Sequence, residues 1–182
     1  MINLIYPTCR LALVELYILR HGEAGKRLAA SVGRDSERPL TVTGQQEVHE
    51  IARALDRLGV KFDFVATSPL KRALQTAEMV AKVLKVKKGS IEEWSELKPE
   101  GSRAELYRKL SQFKPESSVL VIGHEPYLST MVSEIVFGSS AGSVVLKKAG
   151  LAKIIVTSFQ PKAKGELRWL LTPKHLKKVA RY

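Results

Sequence analysis

Glu15-Leu16-Tyr17-Ile18-Leu19-Arg20-His21-Gly22 is a short strand-like run that ends abruptly on an arginine, a histidine and a glycine. Two later runs end in a comparable way. Phe62-Asp63-Phe64-Val65-Ala66-Thr67 leads into Ser68-Pro69-Leu70-Lys71-Arg72. Ser118-Val119-Leu120-Val121-Ile122 is an apolar run with the look of a parallel strand buried on both faces, and it breaks at Gly123-His124-Glu125-Pro126. Helical patterns lie between these runs. Thr43 is expected to open a helix, with Gln46 completing a capping box; Val48, Ile51, Ala52, Leu55 and Leu58 recur at helical spacing, and Gly59 stops it. Ser68 reads as the next N-cap with Pro69 at the first helical position, and the helix runs to about Leu84. Further helices are expected over about Arg103 to Phe113 and Tyr127 to Phe137, while Ile91 to Leu97 is compatible with a short strand. Strand and helix in alternation imply an α/β fold of three layers, α/β/α, around a mostly parallel central sheet.

The last third changes character. Val144–Leu146, Leu151–Phe159 and Glu166–Leu171 read as strands joined by glycine-bearing turns, with a basic tail after Pro173. The 182 residues suit one globular domain, and a hydrophobic fraction of 45% suffices for a sizeable core. Cys9 is the only cysteine, which excludes an intrachain disulfide and a cysteine-rich metal site. No apolar run approaches the roughly 20 residues of a membrane-spanning helix. The faintly signal-like first stretch is interrupted by Pro7, Arg10 and Glu15. A cytoplasmic location with no membrane partner is the simplest expectation.

The formal charge of +12 is the one unusual bulk property. Such a field attracts anions, from phosphorylated metabolites to acidic proteins, nucleic acid or anionic membrane, although a lysine-rich solubilising surface gives the same number. Local clusters fall at Lys85–Lys88 and Lys174–Arg181, without the interleaved aromatics of a single-strand binding surface. Nucleic acid is therefore not the expected partner.

Ligand sites of open α/β sheets lie beyond the carboxyl ends of the strands. If the three runs are parallel neighbours, Arg20, His21, Arg72 and His124 converge on one crevice. A neutral imidazole can attack phosphorus and form a phosphohistidine, dividing one hard displacement into two easier ones. Guanidinium forks match phosphoryl oxygens, and a second histidine can donate to the charge that builds on them. Such a set performs phosphoryl transfer through positioning and charge stabilisation, with neither metal nor other cofactor. His-Glu-x-x-His and Cys-x-x-Cys spacings are absent from the sequence.

Leu19-Arg20-His21-Gly22-Glu23-Ala24, then Arg38-Pro39-Leu40-Thr41 and Thr43-Gly44, resembles the histidine phosphatase superfamily, whose fold is phosphoglycerate mutase-like. Thr67-Ser68-Pro69-Leu70-Lys71-Arg72-Ala73-Leu74-Gln75-Thr76-Ala77 and Val121-Ile122-Gly123-His124-Glu125-Pro126 continue the likeness in order. Together with Leu167-Arg168-Trp169-Leu170-Leu171-Thr172-Pro173, they make the chain similar to the small SixA-like phosphohistidine phosphatases. The resemblance covers about Val14 to Leu176. It implies His21 as the phosphorylated nucleophile, with Arg20, Arg72 and His124 holding the phosphoryl group. The implied activity is dephosphorylation of protein phosphohistidine; a small-molecule phosphomonoesterase or mutase is the alternative. A non-catalytic basic module docking a phosphorylated protein or nucleic acid is the reading from another class.

Larger members supply a carboxylate acid from an insertion that is short here. Glu100, in Lys98-Pro99-Glu100-Gly101, is the candidate acid, and Glu23 the other possibility, with an orienting or structural role suiting its place beside the nucleophile. A turn carboxylate in solvent is the bland account of Glu100. An imidazole leaving group needs less help than an alkoxide, so a weak acid agrees with the branch. Ser68 is a candidate phosphate contact besides its capping role. Lys71 either adds positive charge or faces water, His49 and His175 are read as surface residues, and Gly22 and Gly123 as permitting close approach at strand ends. The family match starts at Val14, so residues 1–13 are expected to be an extension or a wrongly assigned start, and 14–182 one histidine phosphatase domain.

Overall fold

The computed structural model of the protein describes residues 14–25, 35–142 and 144–181. The expectation about residues 1–13 lies outside them. The strands are β1 (Val14–Arg20), β2 (Phe64–Thr67), β3 (Ile91–Glu93), β4 (Ser118–Gly123), β5 (Leu151–Ser158) and β6 (Lys164–Leu171). The helices are α1 (Val42–Arg57), α2 (Lys71–Val83), α3 (Arg103–Leu110), α4 (Tyr127–Phe137) and α5 (Pro173–Val179), with 3-10 turns at Asp35–Glu37 and Ser95–Leu97. One sheet takes the order β3-β2-β4-β1-β5-β6. The first four strands in that order are mutually parallel, and β5 and β6 extend the sheet antiparallel beyond β1.

Side-chain alternation divides the core into two halves. Leu16 and Ile18 of β1, with Val119 and Val121 of β4, pack on the side carrying Leu106 and Leu110 of α3 and Leu128 and Met131 of α4. Tyr17, Leu19, Leu120 and Ile122 face the opposite side, against α1 (Val48, Ile51, Leu55), α2 (Ala73, Ala77, Val80) and Leu176 of α5. Burial on both faces is why β1 and β4 read as near-continuous apolar runs. The sheet is thus mixed and flanked by helices, as the α/β/α expectation required. Among the described residues, no helix is long and apolar enough to cross a membrane.

Three local expectations are corrected. Helix α1 is capped by Thr41, whose Oγ1 accepts from the Gly44 N–H at 2.9 Å, so no Thr43–Gln46 capping box forms. Thr41 is fixed in extended geometry because its own N–H donates to the Glu23 carbonyl. Ser68 is not the cap of α2: its N–H donates to Ile122 O, prolonging the β2 ladder, and the helix begins only after extended Leu70. Val144–Leu146 is not a strand; the Leu146 carbonyl is taken by Arg20 at 3.0 Å, and its buried side chain anchors the connection instead. The basic tail forms α5, held by Leu176.

Candidate active site

Register brings the strand ends together. Arg20 pairs with Gly123, and Thr67 with Ile122, so the residues just past β1, β4 and β2 are neighbours at one edge of the sheet. Those residues are His21, His124 and Ser68. The His21 N–H donates to Gly123 O at 3.2 Å, and the two imidazole centroids stand 5.0 Å apart. Gly22 lets α1 press on this turn, since a Cβ there would lie 2.6 Å from Val48 Cγ2.

His21 is 8% exposed, and its Nδ1 lies 2.6 Å from the carbonyl of Gly22. A carbonyl only accepts, so Nδ1 carries the proton and Nε2 keeps its lone pair. Nε2 accepts from Arg72 Nε at 3.2 Å. Burial, with smaller contributions from Arg72, Arg20 and Arg38, pushes the imidazole pKa down to about 4, against the raising effect of the Gly22 carbonyl. His21 is therefore neutral at pH 7, which a nucleophile must be.

Arg72 is 4% exposed, near the start of α2. Its Nη1 donates to the Asp35 carbonyl at 2.9 Å and its Nη2 to Asp35 Oδ2 at 3.1 Å. Asp35 Oδ1 accepts from Arg38 Nε at 2.7 Å, and Arg38 Nη1 donates to Gly25 O. Burial alone would raise the Asp35 carboxyl, but Arg72 and Arg38 outweigh it and hold it below its ordinary range. Thr76, one turn along α2, donates to Arg72 O and accepts from the Gly22 N–H, tying the arginine's helix to the turn that carries His21.

His124 Nε2 lies 2.8 Å from Ser68 Oγ. Burial, then the proximity of His21 and Arg72, pushes its pKa down to about 3. Arg20 is held by Leu146 O, and burial lowers its pKa against the pull of Glu125. Arg20 Nε, His124 Nδ1 and Glu125 Oε1 are buried polar atoms with no hydrogen-bond partner among the described residues. Their residues share the wall of one cavity of about 300 Å³ with His21, Arg72 and Arg38. Buried polar atoms are normally satisfied, so the donors Arg20 Nε and His124 Nδ1 suit a ligand rich in oxygen, which the Glu125 carboxyl can meet only when protonated.

All four residues singled out at the strand ends thus meet. Ser68 touches His124 and is not part of the cavity wall. Glu100 is exposed on the loop after Leu97, and only its neighbour Pro99 reaches the cavity. Glu23 has a bracing position: its carbonyl accepts from the Thr41 N–H and its carboxylate meets Lys148. Lys71, His49 and His175 are exposed. Among the described residues, no group of three His, Cys, Asp or Glu side chains could hold a metal ion.

Glu125, Asp35 and Arg38 are cavity residues that the sequence reading did not nominate. Glu125 follows His124 directly, so the strand-end logic that found His124 extends to it. Burial raises its carboxyl pKa, while a hydrogen bond from Ser129 to Oε2 and the charge of Arg20 oppose the rise. Asp35 sits in a polar stretch without periodicity, where only its three-residue spacing to Arg38 offered a cue.

The histidine phosphatase superfamily (branch 1) matches residues 16–101. Phosphohistidine phosphatase SixA of Escherichia coli (strain K12) is 32% identical over 174 residues, covering 90% of this chain and 97% of that protein. An uncharacterized protein of Picosynechococcus sp. is 34% identical over 167 residues, covering 90% and 99%. The structure of the protein histidine phosphatase SixA complexed with tungstate superposes with a TM-score of 0.76 at 30% identity, over 89% of this chain and 99% of that one. Phosphoglycerate mutase from Bacillus anthracis str. Sterne, at 15% identity and TM-score 0.63 over 93% and 97%, shares the fold. The strand-end arginines and histidines therefore sit in a protein that belongs to the histidine phosphatase superfamily, among its SixA-like members.

Proposed function

We propose that the protein is a metal-independent phosphatase that dephosphorylates protein phosphohistidine through a covalent phosphoryl group on His21. The observation that carries this is the fixed tautomer of a buried, neutral His21, whose Nε2 lone pair is set beside Arg72. The SixA relatives support the substrate class.

In the first step His21 Nε2 bonds to phosphorus while the bond from phosphorus to the substrate imidazole breaks. Arg20, Arg72 and His124 hold the equatorial oxygens, and His124 donates through Nδ1. Ser68 supports that role: its hydroxyl proton given to His124 Nε2 leaves the ring proton on Nδ1. This makes Ser68 a positioning residue. The departing imidazole takes a proton from Glu125, the carboxyl on the cavity wall whose pKa is raised; Glu100 lies outside that wall. In the second step water attacks phosphorus, gives its proton back to Glu125, and His21 is released with inorganic phosphate. The charge stabilisation comes from the protein's own donors, so the scheme calls for no metal.

The test uses phosphate-labelled substrate. Wild type should trap label on His21, and His21→Ala should lose both the trapped label and turnover. Hydrolysis should favour phosphohistidine protein over phosphoserine and phosphoglycerate. Full activity in His21→Ala sinks the mechanism; preference for a small phosphorylated metabolite moves the substrate to the small-molecule class.

A further inference from the structure

A second concavity, of about 840 Å³, opens beside the catalytic cavity, and the two share Arg20 and Lys148 in their walls. One side of it is the connection carrying Lys147 and Lys148, and the other is α5. On α5, Lys174, Lys177 and Lys178 follow at i, i+3 and i+4, which places them on one face of the helix, and Arg181, in the turn just past its end, lines the same groove. Among the described residues Glu47 is the single acidic one of the groove, and Lys177 already neutralises it at 2.8 Å. Lys147, Lys174, Lys178 and Arg181 are exposed, and none forms an ion pair among the described residues.

We infer that this groove is a docking surface for an acidic polypeptide segment flanking the phosphohistidine of the protein substrate. The inference rests on the function proposed above and adds to it how a protein substrate is chosen. Charge complementarity identifies the occupant: a strip of unpaired cations leading to the phosphate site fits a strip of carboxylates leading to the modified histidine. Nucleic acid is the less fitting polyanion, because among the described residues of the groove wall none is an aromatic on which a base could stack. Rim charges of this kind act mainly on encounter and on KM, leaving the chemical step to the cavity.

Two synthetic phosphohistidine peptides, one flanked by glutamates and the other by glutamines at the same positions, test it. Wild type should show kcat/KM about tenfold higher for the glutamate peptide, with the preference fading as salt rises. Lys174→Glu/Lys178→Glu should lose that preference and keep wild-type turnover of free phosphohistidine. Lys87→Glu/Lys88→Glu, an equal charge change at an exposed cluster elsewhere, should retain it. Absence of a preference in wild type, or equal loss in both variants, overturns the inference.

If no phosphohistidine substrate is turned over, the proposed function fails. The groove is then judged by binding of the unphosphorylated, fluorescently labelled glutamate peptide to wild type and to Lys174→Glu/Lys178→Glu. Weakened binding in the variant upholds the groove, and equal binding overturns it. An oligonucleotide of equal charge that binds more tightly through the same two lysines also overturns it.

Discussion

Lowering the pH from 7 to 5 separates a nucleophile kept neutral by its surroundings from an ordinary histidine. With a pKa of about 4, about nine-tenths of His21 would remain unprotonated at pH 5. An imidazole at its ordinary 6.5 would retain only about 3%, so the two cases differ roughly 30-fold in competent enzyme. The acid limb of kcat/KM, corrected for the phosphate ionisation of the substrate, reports the free enzyme and should fall near pH 4. Histidine-labelled protein followed by NMR, with His21→Gln to assign the signal, measures the same pKa directly. A His21 signal titrating at 6 or above would falsify the burial argument.

The same shift has a consequence for stability. Below about pH 6.5 the unfolded chain takes up a proton on each imidazole, while the folded chain resists until about 4 for His21 and about 3 for His124. The unfolded state then binds more protons, so stability rises with pH across that window and is lost as pH falls through it. The pair should cost the folded state a few kcal/mol, on the order of 3 from His21 alone, by pH 4. Urea unfolding at pH 7 and pH 4.5 checks this. Replacing both histidines by glutamine should flatten the dependence.

Glu125→Gln removes the proposed proton donor, so hydrolysis of an alkyl phosphate should fall by about 100-fold, while phosphohistidine, with its better leaving group, should fall far less. Equal losses on both substrates would deny Glu125 that role. Ser68→Ala should lower kcat by roughly tenfold with KM little changed and should move the pH profile, because the proton on His124 is no longer assigned to one nitrogen. A pure stability loss would leave that profile in place. Gly22→Ala forces a Cβ to within 2.6 Å of Val48 Cγ2, which should destabilise the protein by about 1–3 kcal/mol in thermal or urea unfolding. Adding Val48→Ala should recover part of that loss, and no recovery would locate the strain elsewhere.

The sequence revealed the parts of this protein that follow a period. Strands β1 and β4 were legible because burial on both faces demands near-continuous apolar runs, and α1 because its apolar positions and Gly59 mark both its body and its end. Arg20, His21, Arg72 and His124 were legible because parallel strands deliver their last residues to one edge, a rule that needs only the strand ends. What escaped depended on three-dimensional pairing. Ser68 looked like a cap until its N–H was seen to continue the sheet to Ile122, and Thr41 displaced Thr43 because Glu23 fixes its backbone. Asp35 acquires its place only through Arg72 and Arg38, and neither sequence spacing nor composition announces that contact.

Positive charge at this site serves both binding and protonation state, and on the proposed mechanism the two uses are linked. Burial first, and then Arg72, Arg20 and Arg38, lower the proton affinity of His21, and burial, His21, Arg72 and Arg20 that of His124, so the attacking nitrogen is unprotonated before substrate arrives. A phosphoryl dianion entering the cavity reverses the local balance, since a nearby negative charge favours the protonated form of an imidazole. His21 cannot use that gain once Nε2 is committed to phosphorus, but His124 can, becoming a better donor as charge accumulates on the transferring group. Linkage then requires that phosphate or vanadate bind more tightly at pH 5 than at pH 7, after correction for its own ionisation, with proton uptake on binding. Calorimetry in two buffers of different ionisation enthalpy measures that uptake. Zero uptake at pH 5 would mean that His124 acts as a neutral donor throughout, and that the arginines alone carry the charge of the transition state.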